Sequence, residues 1–282
     1  MPTRAIPPTD TRPFFRPVVN ELIDLLEPLP VEAWERPTVA GSWRVRDVVT
    51  HLLDSTLRRL SFHRDRHPPP SPARPITSAA DFVTFINALN AEWVAATQRI
   101  SPAMLFRLYA VAGVELADFF ERSSMDDPAL FTVSWAGEDG DAGWLDVGRE
   151  FTEQWHHQMQ IRDALDAGPL RDPAWLRAVL LVAVRGLPHA FREAAARPDT
   201  SMVIEITGDA GGIFTLRRNE QRWHILSGEG DLVADARAVM SDDTAWRLLF
   251  NALSRDQADA RVRTYGKIEL LEPLFRARSV IV

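Results

Sequence analysis

Residues 41–53 read GSWRVRDVVTHLL and residues 149–165 read REFTEQWHHQMQIRDAL, and the fold prediction starts from these two stretches. Each carries apolar residues at helical spacing, which predicts helices over about Val45 to Asp65 and Trp144 to Ala167. Proline and glycine separate four further predicted helices, at about Arg12 to Glu27, Ala79 to Ile100, Pro102 to Arg122 and Pro173 to Ala195. The N-terminal part is therefore predicted to be a helical bundle.

After Pro198 the pattern changes to short β-type runs with glycine-rich connectors. The predicted strands are MVIEIT (202–207), GIFTLRRN (212–219), RWHILSG (222–228) and LVADARAVM (232–240). Ser241 is predicted to cap a helix that continues to about Leu253, and a final helix is predicted from Ile268 to Arg278. We therefore expect an α+β protein of two domains, 1–198 helical and 199–282 a small antiparallel sheet with helices.

The composition excludes several classes of function. The 282 residues carry a formal charge of -7, which argues against nucleic acid as a partner. No apolar run is long enough to cross a bilayer, and the N-terminus lacks a signal-peptide pattern, so a soluble, cytoplasmic protein is expected. There is no cysteine, so any sulfur chemistry needs a thiol from outside the chain.

Three residues stand out as candidate metal ligands: His51, Glu153 and His157. Glu153 and His157 are four residues apart, so on a helix they direct an oxygen and a nitrogen at one point. His51 would complete the set from another helix. Two imidazoles and one carboxylate bind catalytic zinc or non-haem iron and leave positions open. The neighbouring His156 points about 100 degrees away from His157 on a helix and cannot share that point.

The helical pattern leaves two interpretations of these ligands open. Both candidate helices carry the ligands opposite their apolar stripes, so the polar faces either meet water or line a cleft. The remaining histidines are weaker candidates. His63 and His67 are also four apart, but they precede a PPP segment and favour a surface position, and His189 and His224 are interpreted as structural polar residues.

The stretch GSWRVRDVVTHLL, preceded by EAWERPTVAG, and the later ExxxH-xxxx-RDAL pattern closely resemble the mycothiol-dependent maleylpyruvate isomerases. This family is a branch of the DinB-like metal-binding bundles, which are up-and-down four-helix bundles. The resemblance runs from about Thr11 to Ala167 and implies that His51, Glu153 and His157 are the metal ligands. The C-terminal part resembles the sterol-carrier-like α+β domain that accompanies this bundle.

The resemblance implies one divalent ion, zinc in the first place with nickel or iron also open, and a low-molecular-weight thiol such as mycothiol as cosubstrate. The implied reaction is isomerisation or sulfur transfer on a small electrophilic substrate, by a monomer or a homodimer. Two alternatives stay open. One is a non-catalytic, metal-stiffened module that binds a small molecule or a lipid, and the other is a metal-dependent hydrolase.

The sequence also departs from the family pattern in ways that change the expected site. Arg44 follows the tryptophan, which moves the expected helix cap to Ser42. Gln158, Met159 and Gln160 replace the Gly-x-Asp that often follows the histidine, which changes the groups around the ligands. The C-terminal catalytic arginine of the family has no unique counterpart here; the available cations are Arg261, Arg263, Lys267, Arg276 and Arg278.

Overall fold

The computed structural model describes residues 2–72, 74–130, 142–170, 172–230 and 233–278. The contacts divide the chain into two compact units. The helical unit comprises Arg12–Ser123 and Glu153–Leu170, and the sheet unit comprises Met1–Thr11, Ser124–Thr152 and Arg171–Ile281. The helices and the five-stranded sheet described below confirm the α+β class. Because each unit is made of segments that are not consecutive in sequence, the predicted domain boundary between residues 198 and 199 stays a prediction.

The first four helices belong to the helical unit, and the fifth begins in the sheet unit and ends in the helical unit. They are α1 (Phe15–Leu26), α2 (Val45–Arg58), α3 (Ala79–Thr97), α4 (Pro102–Arg122) and α5 (Gly143–Leu165). Side-chain caps set two of their starts, since Ser78 Oγ accepts from the Asp81 amide and Ser101 Oγ accepts from the Met104 amide. The predicted bounds of α4 are confirmed.

The N-terminal cap of α2 lies two residues later than expected. The prediction of Ser42 as the cap is wrong, because Arg44 occupies that position with extended backbone. Asp47 accepts from both the amide and the Nε of Arg44, each at 3.0 Å, so the third helical residue supplies the capping group. After Arg58 the helix continues as a π-helical segment, Arg59–Arg64.

The core of the helical unit is built from apolar stripes at helical spacing. Helix α1 buries Phe15, Val18, Val19, Leu22 and Leu26. Phe15 packs on Phe120 of α4 with ring centroids 4.5 Å apart, and burial of such a side chain is worth about 1.5–3 kcal/mol. Helices α1 and α4 approach closely at Gly113, where an added Cβ would lie 3.0 Å from Val19 Cγ1.

Three polar contacts, two of them buried, attach the C-terminal half of α5 to the other helices of this unit. The Tyr109 hydroxyl donates to Gln154 Oε1 at 2.9 Å, and Gln154 Nε2 donates to Thr56 Oγ1 at 3.3 Å. Arg162 Nη2 donates to Glu21 Oε2 at 2.6 Å. Because buried polar groups must be paired, these bonds fix the rotation of α5 about its axis.

The sheet unit contains a five-stranded sheet with the order β3-β2-β1-β4-β5. The strands are β1 (Ser201–Thr207), β2 (Gly212–Arg218), β3 (Trp223–Ser227), β4 (Ala236–Ser241) and β5 (Arg263–Gly266). Strands β1 and β4 pair in parallel, whereas the other pairs are antiparallel. The sheet that was predicted as antiparallel is therefore mixed, because β4 returns alongside β1 instead of extending the meander at β3.

The three predicted helices that fall entirely within the sheet unit are shorter than expected, and one helix, Arg255–Arg261, was not predicted. The helices of this unit are α6 (Pro173–Ala183), α7 (Leu187–Ala190), α8 (Asp242–Leu249), α9 (Arg255–Arg261) and α10 (Glu272–Arg276). The predicted helix over 173–195 breaks at a 3-10 segment ending in Gly186, before Pro188, which has no amide to donate. The predicted Ser241 cap is confirmed, with Ser241 Oγ accepting from the Thr244 amide.

The start of the fourth strand also differs. The predicted run begins at Leu232, which lies outside the described residues, and β4 begins at Ala236. Asp235 precedes it in an irregular position and accepts three hydrogen bonds: its carboxylate accepts from the Ser201 amide and from Lys267 Nζ, while its carbonyl accepts from the Lys267 amide. Among the described residues, no helix has both the length and the apolar character required to cross a bilayer.

Candidate metal centre

The structure brings His51, Glu153 and His157 together within the helical unit. Glu153 and His157 lie one turn apart on α5, and His51 lies on α2. One potential ligand atom from each residue falls within 4.8 Å of the others. Within the described ranges, this is the one group of three or more histidines and acidic residues with such a geometry.

A single carboxylate oxygen is the point on which the cluster converges. Glu153 Oε2 lies 3.4 Å from His157 Nε2 and 3.7 Å from His51 Nε2. The two imidazole rings meet edge to face with their centroids 4.8 Å apart. The three atoms would therefore bind an ion from one side and would leave positions open for other ligands.

Burial decides between the two interpretations of the polar faces. His51 is 9% exposed and His157 is 7% exposed, so the ligand-bearing faces do not meet bulk water. Asp54, on the same side of α2 as His51, is also buried. The two imidazoles are therefore buried, whereas the Glu153 side chain between them stays 26% exposed.

Burial and the neighbouring ligands shift the pKa values of Glu153 and His51. Burial alone would raise the pKa of Glu153, but the imidazoles of His157 and His51 outweigh burial and hold that pKa well below its ordinary value. Burial lowers the pKa of His51, against the opposing effect of the Glu153 carboxylate. A deprotonated carboxylate and an uncharged imidazole are the forms that bind a metal ion.

Trp43 covers the cluster from the chain segment that precedes α2. Its ring lies 5.1 Å from the ring of His51 and 6.4 Å from that of His157, between centroids. The segment is held by Thr38, whose amide and hydroxyl both donate to the Trp43 carbonyl. Gly41 turns this loop with a φ of 61°, a conformation that suits glycine.

Gln160 is the direct neighbour of His157 on α5. Its Oε1 lies 2.8 Å from His157 Nδ1, and the side chain is buried. Metal-binding histidines usually have such a partner on the nitrogen that does not face the ion. The sequence indicated that the groups around the ligands differ from the family pattern at 158–160, but it did not assign this contact. The three-residue helical spacing from His157 was the available signal.

A second polar group extends from the cluster along α2. Arg58 Nη2 lies 2.9 Å from Asp54 Oδ2 and donates to Asn90 Oδ1 of α3 at 3.0 Å. Its positive charge acts on His51 and contributes to the lowered pKa of that imidazole. Asn90 was not singled out in the sequence, because a lone polar residue in an apolar helix carries no motif.

The donor set and its surroundings fit a divalent transition-metal ion. Two imidazole nitrogens and a carboxylate oxygen suit zinc, nickel or iron rather than magnesium or calcium, which prefer all-oxygen sites. The two histidines differ in the hydrogen bonding of their Nδ1 atoms. His51 Nδ1 is buried and has no hydrogen-bond partner in the part of the chain that the structure describes, whereas His157 Nδ1 is paired with Gln160.

The other histidines lie outside this cluster. His63 is half-buried, with its ring edge-on to Phe119 at 4.9 Å, and His67 is exposed. His156 is buried beside His157, with ring centroids 4.0 Å apart. In the sheet unit, His224 Nε2 lies 2.6 Å from Asn219 Nδ2.

Three of the five C-terminal cations considered in the sequence have partners within the sheet unit. Lys267 Nζ donates to Asp235 at 2.7 Å, Arg278 Nε donates to Asn251 at 2.8 Å, and Arg276 lies 3.4 Å from Glu272. Burial lowers the pKa of Arg278. A catalytic role for any of these residues stays a prediction.

The sheet unit also has an open groove of about 560 Å³. Its lining combines the small or apolar residues Val233, Ala234, Ala236 and Tyr265 with an ion pair between Arg237 and Glu229. Arg237 also donates to Glu205 at 2.7 Å. A groove that is open to water and crossed by charged groups does not resemble the enclosed apolar pocket that lipid binding needs.

Comparison with known proteins matches residues 15–162, more than half of the chain, to the family described as mycothiol maleylpyruvate isomerase N-terminal domain. Two crystal structures, of the mycothiol-dependent maleylpyruvate isomerase and of a histidine-to-alanine mutant of it, are similar with TM-scores of 0.52 and 0.53. Each is 10% identical, with 90% of both chains covered, so this likeness concerns the fold. No curated protein matches the sequence. By its matched N-terminal region, the chain belongs to the mycothiol maleylpyruvate isomerase N-terminal domain family.

Proposed function

We propose that the chain is a metal-dependent enzyme that uses a low-molecular-weight thiol of the mycothiol type to isomerise, or to transfer sulfur to, a small electrophilic substrate. The observation that carries the proposal is the buried convergence of His51 and His157 on one oxygen of Glu153. Family membership and the crystal structures of mycothiol-dependent maleylpyruvate isomerase support the thiol and the reaction class.

A zinc ion in this site would lower the pKa of a thiol and so supply thiolate at neutral pH. The protein's own part is to hold three ligand atoms on one side, which leaves the other side for the thiol. Trp43 lies over the imidazoles, and both histidines are buried. Because the chain has no cysteine, the sulfur must come from a cosubstrate.

Whether the thiol leaves or stays after addition decides which product forms. Addition of the thiolate to a conjugated double bond makes the former double bond single and free to rotate. If the thiol then leaves with its electron pair and the double bond re-forms, the substrate has been isomerised. If the adduct is protonated and the thiol remains, sulfur has been transferred. Both outcomes need the same thiol and the same ligand set.

The test is turnover of maleylpyruvate by zinc-loaded protein with and without mycothiol, followed by separation of the products. Turnover that requires the thiol and is lost in folded His157→Ala would support the proposal. Consumption of substrates at equal rates without thiol would instead favour a metal-dependent hydrolase. Ligand binding without any turnover, across a panel of electrophiles, would favour the non-catalytic binding module.

A further inference from the structure

We propose that Gln160 is a positioning residue that determines which nitrogen of His157 carries the proton. It holds Nδ1 protonated and leaves Nε2 with its lone pair directed at Glu153 and His51, before any ion binds. The inference rests on the proposed metal site, but it concerns the metal-free protein and can be tested there.

The argument begins with the hydrogen bond itself. Gln160 is 4% exposed, and its Oε1 lies 2.8 Å from His157 Nδ1. An amide oxygen can only accept, so Nδ1 must be the donor. A neutral imidazole has a single N–H, and Nε2 is therefore unprotonated.

This arrangement places two acceptors face to face. His157 Nε2 lies 3.4 Å from Glu153 Oε2, and neither atom carries a hydrogen when the imidazole is neutral and the carboxylate is charged. The other tautomer would donate Nε2–H to the carboxylate and would use the lone pair that an ion needs. By retaining the proton on Nδ1, Gln160 prevents a hydrogen bond between His157 Nε2 and Glu153 Oε2. The two lone pairs then favour a cation between these atoms.

His51 provides the contrast within the same cluster. Its Nδ1 is buried, and no hydrogen-bond partner for that atom lies in the described part of the chain. Its Nε2 is 3.7 Å from Glu153 Oε2. At His51 the Glu153 carboxylate lies beside Nε2, and no group in the described part of the chain opposes it by accepting a proton from Nδ1. The two imidazoles are therefore unequal, with His157 prepared as a ligand in advance.

The choice of an amide also has a consequence for charge. A carboxylate at position 160 would accept the same hydrogen bond but would add a second negative charge beside Glu153. The neutral amide oxygen orients the ring without that charge.

The direct test is ¹⁵N NMR of histidine-labelled, metal-free protein above pH 7, with signals assigned by single histidine substitutions. We expect His157 to show a protonated Nδ1 and an unprotonated Nε2 in the parent protein. In Gln160→Met, which is similar in volume, the proton is expected to move to Nε2. Gln154→Met removes another buried glutamine, bound to Tyr109 and Thr56, and should leave the His157 tautomer unchanged.

Zinc competition with a chelator gives the second readout. Gln160→Met is expected to bind zinc about 10- to 100-fold more weakly, whereas Gln160→Glu, which keeps an acceptor oxygen, should retain the parent affinity or exceed it. A protonated Nε2 in the parent protein, or the same tautomer and affinity in Gln160→Met, would overturn the inference. A parent protein with the expected tautomer but no affinity for zinc would leave Gln160 its positioning role and remove the metal-dependent function.

Discussion

Oε2 of Glu153 and Nε2 of His157 lie 3.4 Å apart on successive turns of α5. The spacing follows from helix geometry, because side chains four residues apart stand above each other on one face. His51 approaches the same oxygen from α2, and both histidines are buried. A close pair on one helix, completed from a second helix, makes the cluster sensitive to the packing of α5 against α2.

The metal-free protein should lose stability on acidification partly through His51. Burial lowers the pKa of this imidazole from 6.5, so below pH 6.5 the unfolded chain binds a proton that the native chain does not. Stability is therefore complete above that pH and falls as pH decreases towards the native pKa. The urea midpoint measured in EDTA at several pH values checks this. His51→Gln should show a shallower fall, and an identical slope in both proteins would contradict the assignment.

Trp43 should contribute to metal affinity without determining the fold. Its ring contacts both imidazoles, so Trp43→Ala frees them to leave the geometry shared with Glu153. Zinc affinity is expected to fall by about tenfold or more, as for other groups that orient ligands. The half-buried Trp175, which belongs to the sheet unit, supplies the control substitution. Equal zinc affinity in Trp43→Ala and the parent would show that the indole does not position the ligands.

The buried bond between Tyr109 and Gln154 should be measurable as stability. Tyr109→Phe removes the hydroxyl and leaves Gln154 Oε1 without its donor, at a cost of about 1–3 kcal/mol. Urea unfolding of the single variants and of the double variant with Gln154→Met gives the coupling between the two side chains. Additive single effects would show that the bond contributes no net stability.

Packing inside the sheet unit gives a prediction that is independent of the metal. An added Cβ at Gly148 would lie 2.9 Å from Cγ2 of the buried Val182. Gly148→Ala should therefore destabilise the protein by about 1–3 kcal/mol, because a β-branched side chain in a packed core cannot move aside cheaply. The double variant with Val182→Ala creates the missing space. Its loss of free energy of unfolding should therefore be smaller than the sum of the losses in the two single variants. A purely additive result would contradict the close approach.

Much of the helical unit could be predicted from sequence because its patterns are local. The bounds of α4 follow from the Ser101 cap and Pro102, and the spacing of Glu153 and His157 places them one turn apart. The meeting of these residues with His51 depends on contacts over a hundred residues apart. That meeting was expected from the resemblance to a family and not from periodicity.

The errors have a common physical origin in contacts between distant segments. The parallel pairing of β1 with β4 depends on a connection that leaves the meander, which alternation within one strand cannot reveal. The Arg44 cap depends on the conformation of the loop held by Thr38. Likewise, the burial of His51 could not be derived from its helical face, because a face opposite the apolar stripe is polar whether it meets water or a cleft.

The most direct test of the metal centre is elemental analysis of the protein purified without added metal, together with folded His51→Ala and His157→Ala variants. His224→Ala, whose histidine lies in the sheet unit beside Asn219, is the matched control. We expect about one zinc, nickel or iron ion per chain in the parent and the control, and little or none in the two site variants. A parent protein that neither retains a metal nor takes one up on titration would contradict the account.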